Sequence, residues 1–397
     1  MKSLMAVALV LVLVFSVASA REYWDQRHVM ADEIIVLEEP PVYPVVDAHA
    51  HFGASEECYE LAIKTMDMSG IKTTIVLSGA SGARLDRHLE LAARYPGRFL
   101  VFCGVSPRPD HRAADDIGET YAAQLQEAYD KGAVGFGEVV KWALRPGGIA
   151  WDDPRLDPMW GKLEELQMPI NWHVGDPSRY WRPEDPFNTL EGPSLYGRAP
   201  LKYELLMQQE RVLEKYPNLV VIAAHSNYLA DMVPLLEWRL RTYPNYYCDL
   251  SATIGEWGRV PEEFKYIITE YADRFFYGTD AGYREGRVDL LGDGDMELAA
   301  RNLAAFHLSH FLFLGTSQRD LPIPFHGNYG KRLIRWQDGY TRYVHDGVNL
   351  PPEVLEKIYY KNAERLFGIE VEGWPPPRPP YWTVEEAARG RQPLEDR

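Results

Sequence analysis

The sequence predicts an α/β fold, a closed (β/α)8 barrel with long loops after its fifth and eighth strands. Three observations point to it. Eight short β-branched or aromatic runs follow one another from Val45 onward, longer amphipathic stretches lie between them, and no glycine-rich turn follows the first run. Strands alternating with helices imply right-handed βαβ units and a parallel sheet. Eight is the strand count that closes such a sheet into a barrel. An open doubly wound sheet is the rival, and its glycine-rich turn is missing here.

The strand candidates are, in order, Val45–Ala48, Thr73–Leu77, Phe99–Val105, Val134–Val139, Pro169–Trp172, Val220–Ala224, Tyr246–Leu250 and Arg274–Tyr277. Between them the 3.6-residue period predicts helices over Glu57–Met68, Arg84–Arg94, Ala114–Lys131, Asp157–Leu166, Lys202–Lys215, Leu229–Arg241 and Pro261–Tyr271. The barrel accounts for residues 45–370. Trp172 to about Tyr203 forms the loop after strand five, rich in Pro, Tyr and Trp. Ala281 to Asn349 follows strand eight and contains a helical stretch, Met296–Leu314. Loops of this length in a compact domain are usually functional. Residues 21–44 are an extension that reaches the first strand through prolines. Residues 371–397 are a tail whose Trp374-Pro-Pro-Pro-Arg-Pro-Pro run predicts an extended strap.

Residues 1–20 differ from the rest. Lys2 gives a positive start, Leu4 to Val17 is apolar, and Ala18-Ser19-Ala20 closes the run. That is the pattern of a secretory signal peptide, and an apolar run of roughly 14 residues is short of the ~20 that span a bilayer. Cleavage after Ala20 and export to a periplasmic or extracellular space are therefore expected. A composition of 46% hydrophobic and 25% charged residues is that of a globular protein with a sizeable core. The formal net charge of −16 argues against nucleic acid and against anionic membrane surfaces as partners. A small-molecule substrate is expected, and a homo-oligomer stays open. Three cysteines are too few for a disulfide scaffold. Cys103 and Cys248 read as small buried residues, and Cys58 starts a helix.

The residues that carry chemistry stand at strand ends. In Val45-Val46-Asp47-Ala48-His49-Ala50-His51, residues two apart share a face, so His49 and His51 project together. His173 ends the fifth strand, His225 the sixth, and Asp280 follows the eighth. Any one of these reads equally as a satisfied core residue. Together, all at the end of the barrel where active sites form, imidazole and carboxylate groups make the donor set of a catalytic divalent ion. Glu138 on the fourth strand completes a second metal site, braces a metal-bound histidine, or pairs with Lys141. Arg179, Asn227 and His326 are candidates to bind substrate, with Asp176 and Tyr180 beside them. Trp172, Trp181 and Tyr196 are candidates to wall an aromatic pocket.

The set Asp47-x-His49-x-His51, His173-x-Gly175, Ala224-His225 and Gly278-Thr279-Asp280 resembles the amidohydrolase superfamily. Within it, the chain is similar to the branch of hydrolases and decarboxylases related to aminocarboxymuconate-semialdehyde decarboxylase. The likeness runs from about Val45 to Gly368, where Asn362-Ala363-Glu364-Arg365-Leu366-Phe367-Gly368 resembles that branch's closing helix. The resemblance implies that His49, His51, His173 and Asp280 hold one ion, zinc first, with manganese, iron or cobalt suited to the same donors. It implies that His225 faces the substrate's developing oxyanion or binds a second ion, and that Asp280 takes the proton of an attacking water. One ion is favoured over two. Hydrolysis of a lactone, ester or amide is the expected reaction. The alternative is non-oxidative decarboxylation of an aromatic or enol acid, followed by a non-catalytic binding barrel and, last, a phosphoesterase.

Overall fold

The computed structural model describes residues 36–106, 114–140, 148–181, 199–319, 321–322 and 344–371. Its parallel strands are β1 (Val45–Phe52), β2 (Ile71–Ala80), β3 (Phe99–Cys103), β4 (Gly135–Val140), β5 (Ile170–His173), β6 (Val221–Ala223), β7 (Tyr246–Asp249), β8 (Phe275–Phe276) and β9 (Ala281–Tyr283). They pair in the order β8-β7-β6-β5-β4-β3-β2-β1-β9. The two ends of that order, β8 and β9, are consecutive in the chain. β8 lies within the predicted eighth strand and pairs with β7, whereas β9 falls at the start of the predicted loop after it and pairs with β1. Across the break, Ala48 N–H donates to Tyr277 O (2.9 Å) and Asp280 N–H to His49 O (2.8 Å). The sheet thus closes on itself, and the barrel has no free edge to satisfy.

Helices α1 (Glu56–Ser69), α2 (Gly82–Ala93), α3 (Ile117–Asp130), α4 (Asp157–Glu165), α5 (Lys202–Lys215), α6 (Val233–Thr242) and α7 (Pro261–Glu270) follow β1 to β7 in turn. A longer helix, α8 (Met296–Gly315), comes after β9 and packs along α1. Most elements lie within a few residues of their predicted bounds. Two differences matter. β1 extends four residues past Ala48, so His49 and His51 stand on the strand itself. α6 begins at Val233 rather than Leu229, because residues 225–228 adopt a left-handed turn and Pro234 opens the helix after it.

Period-two alternation sorts the barrel strands. On β1, Asp47, His49 and His51 face the axis, while Phe52 packs outward on Tyr59 of α1 (5.1 Å between centroids) and on Phe99 (5.6 Å). On β5, Asn171 and His173 face in and Trp172 faces out. Trp172 stacks on Trp160 of α4 at 4.6 Å and meets Trp151 at 5.4 Å, all three fully buried. The expectation that Trp172 walls a substrate pocket is thereby corrected: it belongs to the layer between sheet and helices. Cys58, Cys103 and Cys248 are buried and unpaired. No helix of the described residues is long and apolar enough to cross a membrane. Residues 1–20, nearly all of the N-terminal extension and the proline-rich tail lie outside the described residues.

Four histidines away from the barrel axis, His88, His307, His310 and His345, are buried, and burial holds them neutral. Their pKa values fall to about 4, about 3, about 4 and about 4. On unfolding each recovers a value near 6.5 and takes up a proton below it. Their stabilisation is therefore present above pH ~6.5 and lost as pH falls towards 4. Asp47 opposes them: burial raises it to about 7, so it releases a proton on unfolding over the same window. His49, His51 and His173, whose burial is outweighed by neighbouring carboxylates that raise them, oppose the four as well, but chiefly above pH ~6.5 where the unfolded rings are neutral, so below it the four lowered histidines decide the sign. Chelator-treated protein is expected to lose several kcal/mol of urea stability between pH 7 and 5, on the order of 1–2 kcal/mol per histidine. His307→Leu should make the dependence shallower by about one proton. A flat profile would contradict the assignment.

Candidate metal centre

Six side chains from five strands meet at the C-terminal mouth of the barrel: His49 and His51 (β1), Glu138 (β4), His173 (β5), His225 (after β6) and Asp280 (between β8 and β9). They fall into two trios. His51 Nε2 lies 3.0 Å from Asp280 Oδ1, and His49 Nε2 lies 3.6 Å from the same oxygen. Glu138 Oε1 lies 2.6 Å from His173 Nδ1 and 3.2 Å from His225 Nε2. Glu138 joins the two, because its other oxygen, Oε2, is 3.4 Å from His51 Nε2.

The outer nitrogens explain the aim of the inner ones. His49 Nδ1 is 2.9 Å from Asp249 Oδ2, an acceptor, so the ring proton sits there and the Nε2 lone pair points to the centre. His225 Nδ1 lies 2.9 Å from Ser251 O and 2.8 Å from Ser251 Oγ. Ser251 Oγ gives its own hydrogen to Asp249 Oδ1 (2.5 Å), so His225 Nδ1–H donates and Nε2 again faces inward. Asp249 also accepts from Asn171 Nδ2 (2.9 Å), His225 N–H (2.9 Å) and Ser251 N–H (3.1 Å). Asp47 does the same work at the other wall, accepting from Thr279 Oγ1 (2.6 Å), Thr279 N–H (3.1 Å) and His49 N–H (3.2 Å). Asp280 takes a left-handed φ of 66° there. The backbone passes closely beside it at Gly278, where an added Cβ would stand 3.2 Å from that of His49 and 3.3 Å from that of Ser251, so that both would have to give by a few tenths of an ångström.

Carboxylates and imidazole lone pairs therefore face one another, an arrangement that needs cations between them. His49 Nε2 is buried without a hydrogen bond. Donors about 2.1 Å from a cation stand about 3.0 Å apart in an octahedron and about 3.4 Å in a tetrahedron, close to the 3.0–3.6 Å spacings of the first trio. The residues fit a divalent ion. Without one, protons take its place. Burial disfavours charge on His51, yet hydrogen bonds to Asp280 and Glu138 outweigh it and push its pKa up to about 10. For His173, burial is likewise outweighed, by Glu138 and Asp176, and the value again reaches about 10. Glu138 is held well below the usual carboxylate range, burial being overcome chiefly by His173.

The structure rearranges the predicted ligand set in one respect. His173 does not join His49, His51 and Asp280; both its nitrogens are engaged, Nδ1 with Glu138 and Nε2 with Asp176 at 3.2 Å. It belongs to the Glu138–His225 trio. Asn227 is also corrected as a substrate ligand: it is fully buried, and its amide hydrogens go to Gln209 Oε1 (2.9 Å) and Tyr246 OH (2.7 Å). Trp181 is buried with its indole N–H on Pro200 O, at 2.9 Å. The side chains of Arg179 and Tyr180, and all of Lys141, Tyr196 and His326, lie outside the described residues. Sequence reasoning missed Asp249, although it ends β7 just as His173 ends β5. It also missed Ser251 and Lys202.

Because cation and protons compete for the same atoms, metal affinity should rise with pH up to about 10, and metal uptake at pH 7.5 should release protons. Titration calorimetry in two buffers of different ionisation enthalpy would count them; no release would remove His51 and His173 from the ligand set. Asp249→Asn should weaken metal binding about 10–100-fold, and an unchanged affinity would show that the outer carboxylate is dispensable.

Comparison with known proteins assigns the chain to a family. The chain is 26% identical over 263 residues to a gamma-resorcylate decarboxylase of Rhizobium radiobacter, covering 60% of this chain and 72% of the relative. A gamma-resorcylate decarboxylase of Rhodococcus jostii (strain RHA1) is 20% identical over 255 residues, covering 58% and 72%. Among solved structures, a TIM-barrel protein of Bordetella bronchiseptica matches with a TM-score of 0.49 at 16% identity, covering 82% of this chain and 99% of that one. The 2,6-dihydroxybenzoate decarboxylase of Rhizobium matches with a TM-score of 0.44 at 18% identity, covering 82% and 98%. The amidohydrolase family model matches residues 46–369, nearly the whole barrel, and this chain is a member of that family.

Proposed function

We propose that this enzyme is a metal-dependent, non-oxidative decarboxylase of an aromatic hydroxy acid. The observation that carries the reading is the match to gamma-resorcylate decarboxylases over 72% of their length, in a chain that keeps a His, Asp and Glu donor set at the barrel mouth. The expectation of a hydrolase cleaving a lactone, ester or amide is overturned by the same relatives, whose reaction breaks a carbon–carbon bond. The ion proposed is zinc, which accepts imidazole and carboxylate donors; manganese, iron and cobalt accept them too.

In such a reaction the ring carbon bearing the carboxylate gains a proton, the bond to the carboxylate breaks, and its electron pair restores the ring as carbon dioxide leaves. A bound divalent ion would supply a Lewis-acid anchor for the substrate's oxygens. The chain's own groups divide the proton work. Asp280, beside His51 at 3.0 Å, holds the proton destined for the ring carbon at its carboxyl. His225, fixed by Ser251 with Nε2 facing the cavity, accepts the hydrogen of a substrate hydroxyl and so raises the electron density of the ring. Asp280 is thus assigned as acid, where hydrolysis would have made it a base.

2,6-Dihydroxybenzoate incubated with the metal-loaded enzyme should yield resorcinol and carbon dioxide in equal amounts. Asp280→Asn should lower kcat about 10²–10⁴-fold. Turnover of a lactone or ester panel, with aromatic acids untouched, would sink the proposal. We also propose export, on the pattern of residues 1–20. Mass spectrometry of protein secreted by its native host should find a mature N-terminus at Arg21, and an intact Met1 would count against it.

A further inference from the structure

Four consecutive residues after β6, His225, Ser226, Asn227 and Tyr228, have φ values of 56°, 49°, 52° and 49°, and none is glycine. The left-handed conformation presses each Cβ towards the following carbonyl oxygen, so a turn of four such residues persists only where its surroundings overdetermine it. Each residue is tied. His225 N–H donates to Asp249 Oδ1 (2.9 Å) and Ser226 Oγ to Asp249 O (2.8 Å). Asn227 binds Gln209 and Tyr246, and Gln209 is itself held by buried Arg239 at 2.5 Å. The last residue is tied through its backbone, where Tyr228 O accepts from Lys202 Nζ at 2.6 Å.

Lys202 opens α5 and is buried. Its stem passes Gly175, where an added Cβ would stand 3.6 Å from Lys202 Cγ. The ammonium also reaches Ser178 Oγ (3.3 Å) and Asp231 Oδ1 (3.6 Å). An ammonium is costly to bury unless its hydrogens are matched, and here a carbonyl, a hydroxyl and a carboxylate surround it. Ser178 lies on the loop that follows His173 and Asp176. One cation thus joins the β5 loop to the β6 turn, whose histidine rings stand 4.8 Å apart. The ring of Tyr228 lies over His225 at 4.9 Å and 32°, so movement of its backbone would reach that imidazole directly.

We propose that Lys202 is a positioning residue that closes the left-handed turn and thereby sets the aim of the His225 imidazole towards Glu138. It makes no contact with the proposed ligand atoms. The proposal rests on the decarboxylase reading only for its kinetic consequence. Its geometric part is tested without turnover, by ¹⁵N-histidine imidazole spectra of the full chain, with His225 assigned through His225→Gln.

In the wild type the His225 signal should be that of a single Nδ1–H tautomer. Lys202→Met should remain folded and move that signal towards the tautomer average, and Lys202→Arg should restore it. An unchanged His225 signal in folded Lys202→Met would overturn the proposal. Should Lys202→Met not fold, Lys202→Gln, which keeps a donor but loses the charge, is read in the same way. With 2,6-dihydroxybenzoate, kcat should fall about 10–100-fold while KM stays within about threefold, and the arginine variant should recover most of the loss. A rise in KM at constant kcat would make Lys202 a substrate ligand instead and overturn the positioning role. Wild-type enzyme inactive on aromatic acids would count against the decarboxylase reading alone, leaving the imidazole spectrum to decide on Lys202.

Discussion

The buried carboxylate of Asp249 holds this site together. Its two oxygens accept from the His49 ring, the Asn171 amide, the His225 and Ser251 backbones and the Ser251 hydroxyl. Those donors come from β1, β5, the β6 turn and the residues after β7, so one side chain sets the spacing of four barrel elements. Burial alone would neutralise such a group, yet its acidity is increased rather than weakened, the desolvation being outweighed first by His49. The charge persists because it is hydrogen-bonded from every side. Its effect is to fix which nitrogen of two histidines carries the proton, and hence where their lone pairs point.

That outer arrangement creates the problem the centre exists to use. Ring nitrogens of His49 and His225 and the carboxylates of Glu138 and Asp280 converge there, and among the described residues His51 and His173 face them too. A cation resolves the conflict, and in its absence His51 and His173 remain protonated far above neutrality. The scaffold supplies a sheet that closes on itself, a gap between β8 and β9 where Asp280 stands, and a strained turn after β6 that is tied residue by residue.

Glu138 shows why the sequence left several roles open. A carboxylate at the end of a fourth strand can ligate, brace a histidine or pair with a lysine, and spacing along one strand cannot separate these. In the fold it faces four histidines, Oε2 towards His51 and Oε1 towards His173, His225 and, at 3.9 Å, His49. His173 is the converse case. Its position at a strand end was plain, but which of its nitrogens meets Glu138 and which meets Asp176 depends on ring rotation, and no period in the sequence encodes that.

The sequence by itself determined the barrel, its strand order and the residues at its mouth, because period-two and period-3.6 patterns are local and the ligating side chains are rare types standing at strand ends. The family resemblance rested on those same residues. Only the tertiary structure decided the partition of the ligands into two trios, the removal of Asn227 and Trp172 from the cavity, and the parts played by Asp249, Ser251 and Lys202. These include contacts between residues two hundred positions apart or more, such as His49 with Asp249 and His51 with Asp280. The angle at which two such strands meet is set by closure of the whole sheet, a property no stretch of sequence carries alone.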